Sequence, residues 1–324
     1  MPAVSVVTVF HRDTPFLRPA IASILGQTFR DFEFVLVDNG TGMPPEALGP
    51  LSDDPRLRWV RLPRNEGIPG GHNAGIAAAA GEFVALLDYD DLAVPARLEK
   101  QVAALRGNPD IDLISAFAEV MTETEKPVGK MFCIPDPAGH RAYAQYAAPV
   151  ITPAAMARRE VFERIPYRPQ FPFAADLDFQ SRATEHCRMA VLPEVLLRYR
   201  WYGAQTTQQK QAAIDNSRCA ISLVTARRRA GRPENLEAVL GLAAGLSPAE
   251  YSRRVAQIAC DEGFWELAAY RARRALALER SPLSAARALA QAGQVWRRTP
   301  AAERGRVMRM FFSGPVRALG LTPA

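Results

Sequence analysis

Glu82-Phe83-Val84-Ala85-Leu86-Leu87-Asp88-Tyr89-Asp90-Asp91 is a short apolar run that ends in three carboxylates. Glu82 to Leu87 has the length and apolar character of a buried strand. The carboxylates then fall where the strand leaves its sheet, and in open α/β sheets ligands bind outside the carboxyl ends of the strands. Hard cations such as Mg²⁺ and Mn²⁺ take oxygen ligands, usually one or two carboxylates completed by phosphate oxygens and water. Asp88 and Asp90 can share such a cation, or one can take it while the other takes a hydroxyl. Like charges this close repel unless a cation or donors offset them. The same residues also suit a solvated turn in which Asp91 caps the next helix.

Outward from this stretch, strand and helix signals alternate. Val4 to Phe10 is a β-branched apolar run, and Asp13-Thr14-Pro15 supplies a cap and a first-turn proline for a helix to about Gly26. Phe32 to Val37 is a second strand, closed by the turn tripeptide Asp38-Asn39-Gly40, and Leu57 to Leu62 is a third. A small-residue helix over Pro69 to Ala80 enters through Gly70-Gly71, Pro95 opens a helix with Leu98, Val102 and Leu105 on one face, and Ile111 to Phe117 is a further strand. Repeated β-α-β units predict a doubly wound, mostly parallel sheet of the α/β class. Between 119 and 172 the signal weakens to short strands, loops and one helix near Pro153 to Arg164; Asp176 to His186 is helical, and Met189 to Leu192 and Val195 to Tyr202 are strands. From Thr206 onward the period is helical, with breaks at Gly231-Arg232-Pro233, Gly245 to Pro248, Gly263 and Ser281-Pro282. The reading is a domain over 1–205 followed by an all-helical, basic region over 206–324.

Charge follows the same division. The chain has 324 residues and a net charge of +6; residues 206–324 carry +10 and the remainder −4. The two parts are therefore suited to different partners. Apolar residues at 48% and charged residues at 23% exclude wholesale disorder. The N-terminus lacks a basic leader and runs straight into a strand, so it does not read as a signal peptide. Cys133, Cys187, Cys219 and Cys260 show no metal or redox spacing and suit free thiols in a reducing cytoplasm. The basic tail from Arg297 to Arg317 lacks the interleaved aromatics of a nucleic-acid binder, so no nucleic-acid partner is expected. Arg304 to Leu321 mixes arginines with Val307, Met308, Met310, Phe311, Phe312, Val316 and Leu319. That mixture suits either an anionic membrane surface or a packed terminal helix with a solvated basic face.

Other candidate residues are ambiguous taken singly. Asp38 can accept from a ribose or base, or simply form its turn. Arg64 to Asn73 is glycine-rich and precedes a helix, which can bring backbone donors near phosphate, but it is neither a dinucleotide fingerprint nor a Walker A sequence. Asp176 and Asp178, two apart on a helix, point in different directions, so only one can face a given site.

Taken together, Val4 to His11, Ala22 to Thr28, Phe32 to Thr41, Asn73-Ala74-Gly75-Ile76 and Ala80 to Asp91 resemble glycosyltransferase family 2, in register through about residue 106 and less tightly to about 205. The resemblance implies a GT-A fold, a nucleotide-sugar donor with a UDP-sugar favoured, a Mn²⁺ or Mg²⁺ ion, and inversion at the anomeric carbon. By position, Thr8 and Asp38 line the nucleoside pocket, with Asp38 near the base, and His72 and Asn73 lie in the donor-binding stretch. Asp88 and Asp90 match the DxD element, Asp88 facing ribose or metal and Asp90 holding the metal that bridges the diphosphate. Asp176 matches the general base, with Asp178 as the alternative. A base to deprotonate the acceptor hydroxyl and a metal to neutralise the leaving diphosphate are what a single displacement needs.

The departures are His72 where the family often has Arg, Ala175 where Glu usually precedes the base, Asn39 where a second acid is common, and Tyr199-Arg200-Trp201-Tyr202 where a His often appears. Without a QxxRW element or following membrane helices, a processive synthase is not expected. The expectation is transfer of one sugar to a glycan or lipid-linked acceptor in bacterial envelope polysaccharide synthesis. The enzyme would be cytoplasmic, or peripheral at the inner face of the membrane through its basic tail. The competing class is a GT-A-fold binding or scaffold protein without turnover, suggested by His72 and Ala175. A sugar nucleotidyltransferase would need a glycine-rich basic signature that His11-Arg12-Asp13-Thr14 does not provide.

Overall fold

The computed structural model describes residues 1–279 and 282–318. Nine strands form one sheet: β1 (Val4–Phe10), β2 (Phe32–Asn39), β3 (Leu57–Leu62), β4 (Phe83–Leu86), β5 (Leu92–Ala93), β6 (Leu113–Met121), β7 (Pro127–Met131), β8 (Met156–Arg158) and β9 (Met189–Arg200). Their order is β3-β2-β1-β4-β8-β6-β9-β5, with β7 on β6. β1 pairs in parallel with β2 and β4, β2 with β3, and β6 with β9. The short β8 runs antiparallel to both β4 and β6 and so joins two parallel blocks. Strands β1, β2 and β4 are buried almost throughout, which their β-branched and aromatic runs require.

The helices of this unit are α1 (Leu17–Leu25), α2 (Gly67–Ala78), α3 (Arg97–Gly107), α4 (Pro137–Tyr143, shared at its end with the second unit), α5 (Arg159–Arg164) and α6 (Ala175–His186). Glycines let α2 lie close on the sheet. A β-carbon at Gly71 would fall 2.4 Å from Val9 Cγ1, and one at Gly75 2.5 Å from Val7 Cγ1 and 2.9 Å from Val37 Cγ2. Gly71 and Gly75, inside α2 and not at the entry expected at Gly70-Gly71, are thus packing requirements, and the residues just before the helix, Asn65 and Glu66, hydrogen-bond to Asn39 at the carboxyl end of β2.

Three expectations are corrected. α1 begins at Leu17, because the Asp13 carboxylate pairs with Arg18 at 2.9 Å and does not cap a helix. The stretch from Pro153 to Arg164 is a 3₁₀ turn, then β8, then the short α5. Pairing of Met156 and Ala157 with two neighbouring strands overrides their helical propensity. The two strands expected around Pro193 are one strand, β9, whose register against β6 shifts at Ala116 to Ala118. A bulge accommodates a proline that cannot donate to the ladder.

The chain divides into two compact units, one of Met1–His140 with Ala148–Gln205, the other of Arg141–Ala147 with the chain from Thr206 onward. In the second, the described residues from 206 form only helices: α7 (Thr206–Gln209), α8 (Gln211–Arg229), α9 (Leu236–Gly241), α10 (Pro248–Asp261), α11 (Trp265–Leu278), α12 (Pro282–Arg298) and α13 (Arg304–Ala318), with a 3₁₀ turn before the last. Ala256, Ala259, Ala268, Ala272 and Ala275 are buried, so small side chains set close helix spacing. Ser247 and Glu250 form a reciprocal capping box at the start of α10. Ser281 and the tail positions Leu319 to Leu321 lie outside the described residues.

Replacing Gly75 with Val should destabilise the protein by roughly 2 kcal/mol or more, since the added atoms meet stiff β-branched side chains on two strands. An unchanged melting temperature would contradict this account of how α2 is seated.

Candidate functional site

The acidic turn follows β4 directly. Asp88 is half-buried, while Asp90 and Asp91 are buried. Two arginines that sequence reading passed over hold the turn. Arg97, fully buried in the first turn of α3, donates through Nη2 to the Leu86 carbonyl at 2.7 Å and the Ala155 carbonyl at 3.2 Å. Arg200, at the end of β9, donates its backbone N–H to Asp91 Oδ1 at 2.8 Å and its Nε to the Asp90 carbonyl at 2.9 Å. Asp91 therefore secures β9 and does not cap α3, whose N-cap is Ala96. Tyr202 donates its hydroxyl to Asp90 Oδ2 at 2.8 Å.

Burial disfavours the charged form of each of these acids. The Asp88 carboxyl is pushed up to about 7 by burial, then by the charges of Asp90 and Asp176, with Arg97 opposing. Asp91 is driven well up by burial and by Asp90 and Asp88, and Asp90 is raised by burial against the Tyr202 hydrogen bond. Burial brings the Arg97 guanidinium down to about 10, with Asp91 and Asp88 opposing.

Asp176 reaches this cluster from α6. The chain enters the helix through Ala174 in the left-handed region at φ 58°, an uncommon conformation for alanine. This turn sets Asp176 in the first turn of α6, where a carboxylate suits the helix dipole. Its charge acts on Asp88, on His72 and on Tyr167. Among the described residues Asp176 makes no ion pair. Asp178 is fully buried and committed to Arg168 and to Arg182, the latter at 2.8 Å. The two acids therefore have separate settings: Asp178 locks α6 to its surroundings, and Asp176 faces the field of the acidic turn.

The remaining candidates divide. Thr8 is buried on β1 with its hydroxyl unpartnered. Asp38 is buried at the end of β2 and spends Oδ1 on the Thr41 N–H and hydroxyl, each at 2.7 Å. Asn39 bonds to Asn65 and to the Glu66 and Gly67 backbone, tying β2 to the glycine-rich loop. His72 shares a hydrogen bond with the Ile68 carbonyl at 2.9 Å, and its ring packs 5.1 Å from Tyr167; burial lowers its pKa and favours neutral imidazole. Asn73 clamps the Tyr167 backbone, donating to its carbonyl at 2.8 Å and accepting from its N–H at 2.9 Å. The Asn73 side chain therefore holds the segment leading to α6.

Unpartnered buried polar atoms in this region include Thr8 Oγ1, Asp91 Oδ2, Arg97 Nη1 and Tyr167 Oη. Buried polar groups without partners are costly and mark places where a ligand can supply them. Among the described residues no three His, Cys, Asp or Glu side chains form a ready metal cage. Asp88 and Asp90 still fit Mg²⁺ or Mn²⁺ as a pair of hard oxygen donors that leaves other positions for phosphate and water, and a cation would relieve the repulsion that raises Asp88.

This sheet, with its acidic turn after β4 and its carboxylate on a later helix, is that of a GT-A-like transferase. Residues 5–166 match the model described as "Glycosyl transferase family 2", and the chain belongs to that family and is a glycosyltransferase. Asp176 lies beyond the matched segment. An uncharacterized glycosyltransferase of Methanocaldococcus jannaschii is 29% identical over 207 residues, 61% of this chain and 71% of the relative. Succinoglycan biosynthesis protein ExoO of Rhizobium meliloti is 37% identical over 102 residues, 32% of this chain and 29% of the relative. The crystal structure of S. aureus TarS 1-349 in complex with UDP-GlcNAc has a TM-score of 0.57 at 16% identity, covering 96% of this chain and 92% of that one. The structural likeness is one of fold.

Asp88 gives a pH signature. Its carboxyl is raised in the folded state, so ionisation carries a stability penalty, in full force above about pH 7 and relieved as pH falls toward the unfolded value. Metal-free protein should therefore gain stability between pH 8 and pH 6, and Asp88→Asn should flatten that slope. Urea unfolding at both pH values checks it; equal slopes in the two proteins would contradict the assignment.

Proposed function

We propose that this chain is an inverting, metal-dependent glycosyltransferase that moves one sugar from a nucleotide-sugar donor to a hydroxyl of a glycan or lipid-linked acceptor. The observation that carries the reading is the convergence of Asp88, Asp90 and Asp176, from distant parts of the chain, into one electrostatic field. Asp88 and Asp90 would hold Mn²⁺ or Mg²⁺, which when bound neutralises the charge on the departing diphosphate. Asp176 would accept the acceptor hydroxyl's proton as that oxygen attacks the anomeric carbon. The new C–O bond forms as the bond to the diphosphate breaks on the opposite face, which inverts the centre. Thr8 and Asp38 would line the nucleoside pocket, with His72 beside the donor as neutral imidazole. Asn73 would act at one remove, by fixing Tyr167.

The UDP and UDP-GlcNAc complexes of TarS support a UDP-sugar as donor, and the ExoO relative supports envelope polysaccharide synthesis. No helix among the described residues is long and apolar enough to cross a membrane. We place the enzyme at the inner membrane face, with contact through the last helices, where Trp296, Met308 and Phe312 are exposed among arginines. Cosedimentation of the full chain with anionic vesicles should fall when Trp296 and Phe312 are replaced by Ser; unchanged cosedimentation would argue against a tether there.

Donor and base are tested together by thermal shift with UDP, GDP, dTDP and CMP, each with Mn²⁺ and with EDTA. UDP with Mn²⁺ should stabilise the protein and EDTA should abolish the effect. Asp176→Asn should keep that shift and lose transfer by at least about a hundredfold. Wild-type transfer by Asp176→Asn would remove it as the base, and stabilisation by none of the four would remove the donor reading.

A further inference from the structure

We infer that Tyr202 and Arg12 form a positioning pair that fixes which oxygen of Asp90 a donor-bound cation meets. The inference rests on the donor-site reading above and goes beyond it to two residues outside the acidic turn.

Asp90 is 8% exposed, and its Oδ2 accepts the Tyr202 hydroxyl at 2.8 Å. A phenol has a single proton, so its direction matters. Arg12 determines that direction: its Nη2 approaches Tyr202 Oη at 3.5 Å, while its Nε donates to Tyr89 Oη at 3.0 Å. A guanidinium can only donate, so it takes the acceptor side of the phenol; of the two acceptors left, Asp90 and the neighbouring Tyr89 hydroxyl, the carboxylate is the stronger and takes the proton. Arg12 is itself anchored by Nη2 to the Ala204 carbonyl at 2.9 Å. The Tyr202 ring is held edge-on to Phe16 at 4.9 Å, and its backbone N–H donates to Gln205 Oε1 at 3.3 Å. Gln205 in turn donates to the Arg200 carbonyl.

The consequence concerns one carboxylate. With a lone pair of Oδ2 taken by the phenol, Oδ1 is the Asp90 oxygen that would be left to hold a cation. The pair is assembled from the end of β1, the turn after β4 and the segment after β9, so its geometry exists only in the folded chain. Tyr202 and Arg12 touch neither donor nor cation in this account; they act through Asp90.

The test is Mn²⁺ titration of UDP binding, followed by thermal shift at saturating UDP, for wild type, Tyr202→Phe, Arg12→Met, the double variant and Asp90→Ala. Phenylalanine keeps the packing on Phe16 and removes only the proton donor. Tyr202→Phe should raise the half-saturating Mn²⁺ concentration about tenfold, the scale of a hydrogen bond to a charged group. The full UDP shift should return at saturating Mn²⁺, and the ligand-free melting temperature should stay near that of wild type. Adding Arg12→Met to Tyr202→Phe should raise the Mn²⁺ requirement no further, because what Arg12 keeps without the Tyr202 proton is the direct effect of its charge on Asp90, and removing a positive charge there does not hinder a cation. Wild-type half-saturation in Tyr202→Phe overturns the inference, as does full additivity of the two substitutions. A wild type that binds UDP equally with and without Mn²⁺, or an Asp90→Ala variant that keeps the metal dependence, defeats the underlying donor-site reading instead.

Discussion

The structure depends on mutual repulsion held in check. Asp88, Asp90 and Asp91 are crowded within four residues in a largely buried place, and Asp176 adds its charge from another helix. An isolated buried carboxylate sheds its charge by taking up a proton. Three arginines oppose that here, Arg12 among them through its charge on Asp90. Arg97 sits buried beside the end of β4, and Arg200 is threaded from β9 to the backbone of the turn. Burial outweighs them at Asp88, with the charges of Asp90 and Asp176 adding to it, and its carboxyl rises to about 7. In the proposed function a cation would answer this shortage of positive charge, and structural acids elsewhere in the same unit are treated differently. Asp178, only two residues from Asp176, has two arginines to itself.

The sheet makes this arrangement possible. β4 is central and parallel to β1, so its carboxyl end opens at the same edge as those of β1 and β2. β8 inserts antiparallel between β4 and β6, which lets β9 return beside β6 and deliver Arg200 and Tyr202 to the acidic turn. The glycines of α2 and the Asn73 clamp on Tyr167 bring in the segment before α6. Distant stretches of chain are thus drawn to one end of the sheet by packing and backbone pairing, before any ligand is considered.

Much of this was legible in the sequence. The apolar runs of β1, β2 and β4 are long enough and bounded sharply enough to be read as buried strands, and the acidic turn stands out because three carboxylates fall within four residues at the end of one of them. β8 was not legible, because three residues rich in alanine and methionine carry no period of their own and take their conformation from two neighbours. The start of α1 differs from the expectation because Asp13 is turned to Arg18 and the Phe16 N–H donates to Thr14 Oγ1 in a turn before the helix begins. At the site, carboxylates announce themselves by clustering, whereas Arg97, Arg200, Tyr202 and Arg12 are single residues with no local pattern. Their importance lies in contacts that span up to 192 positions of sequence. The one available signal was an arginine between aromatic residues at Tyr199-Arg200-Trp201, in a strand otherwise suited to burial.

The central claim is that Asp88 and Asp90 are the protein's share of a cation site serving a nucleoside diphosphate, with Asp176 left free for the proton. Anomalous diffraction from crystals grown with UDP and Mn²⁺ tests it most directly. The account predicts one strong manganese peak within bonding distance of Asp90, shared with Asp88 or with diphosphate oxygens, and an Asp176 carboxylate outside the coordination shell. A manganese peak held by Asp176, or one at a different end of the sheet with the acidic turn empty, would contradict it.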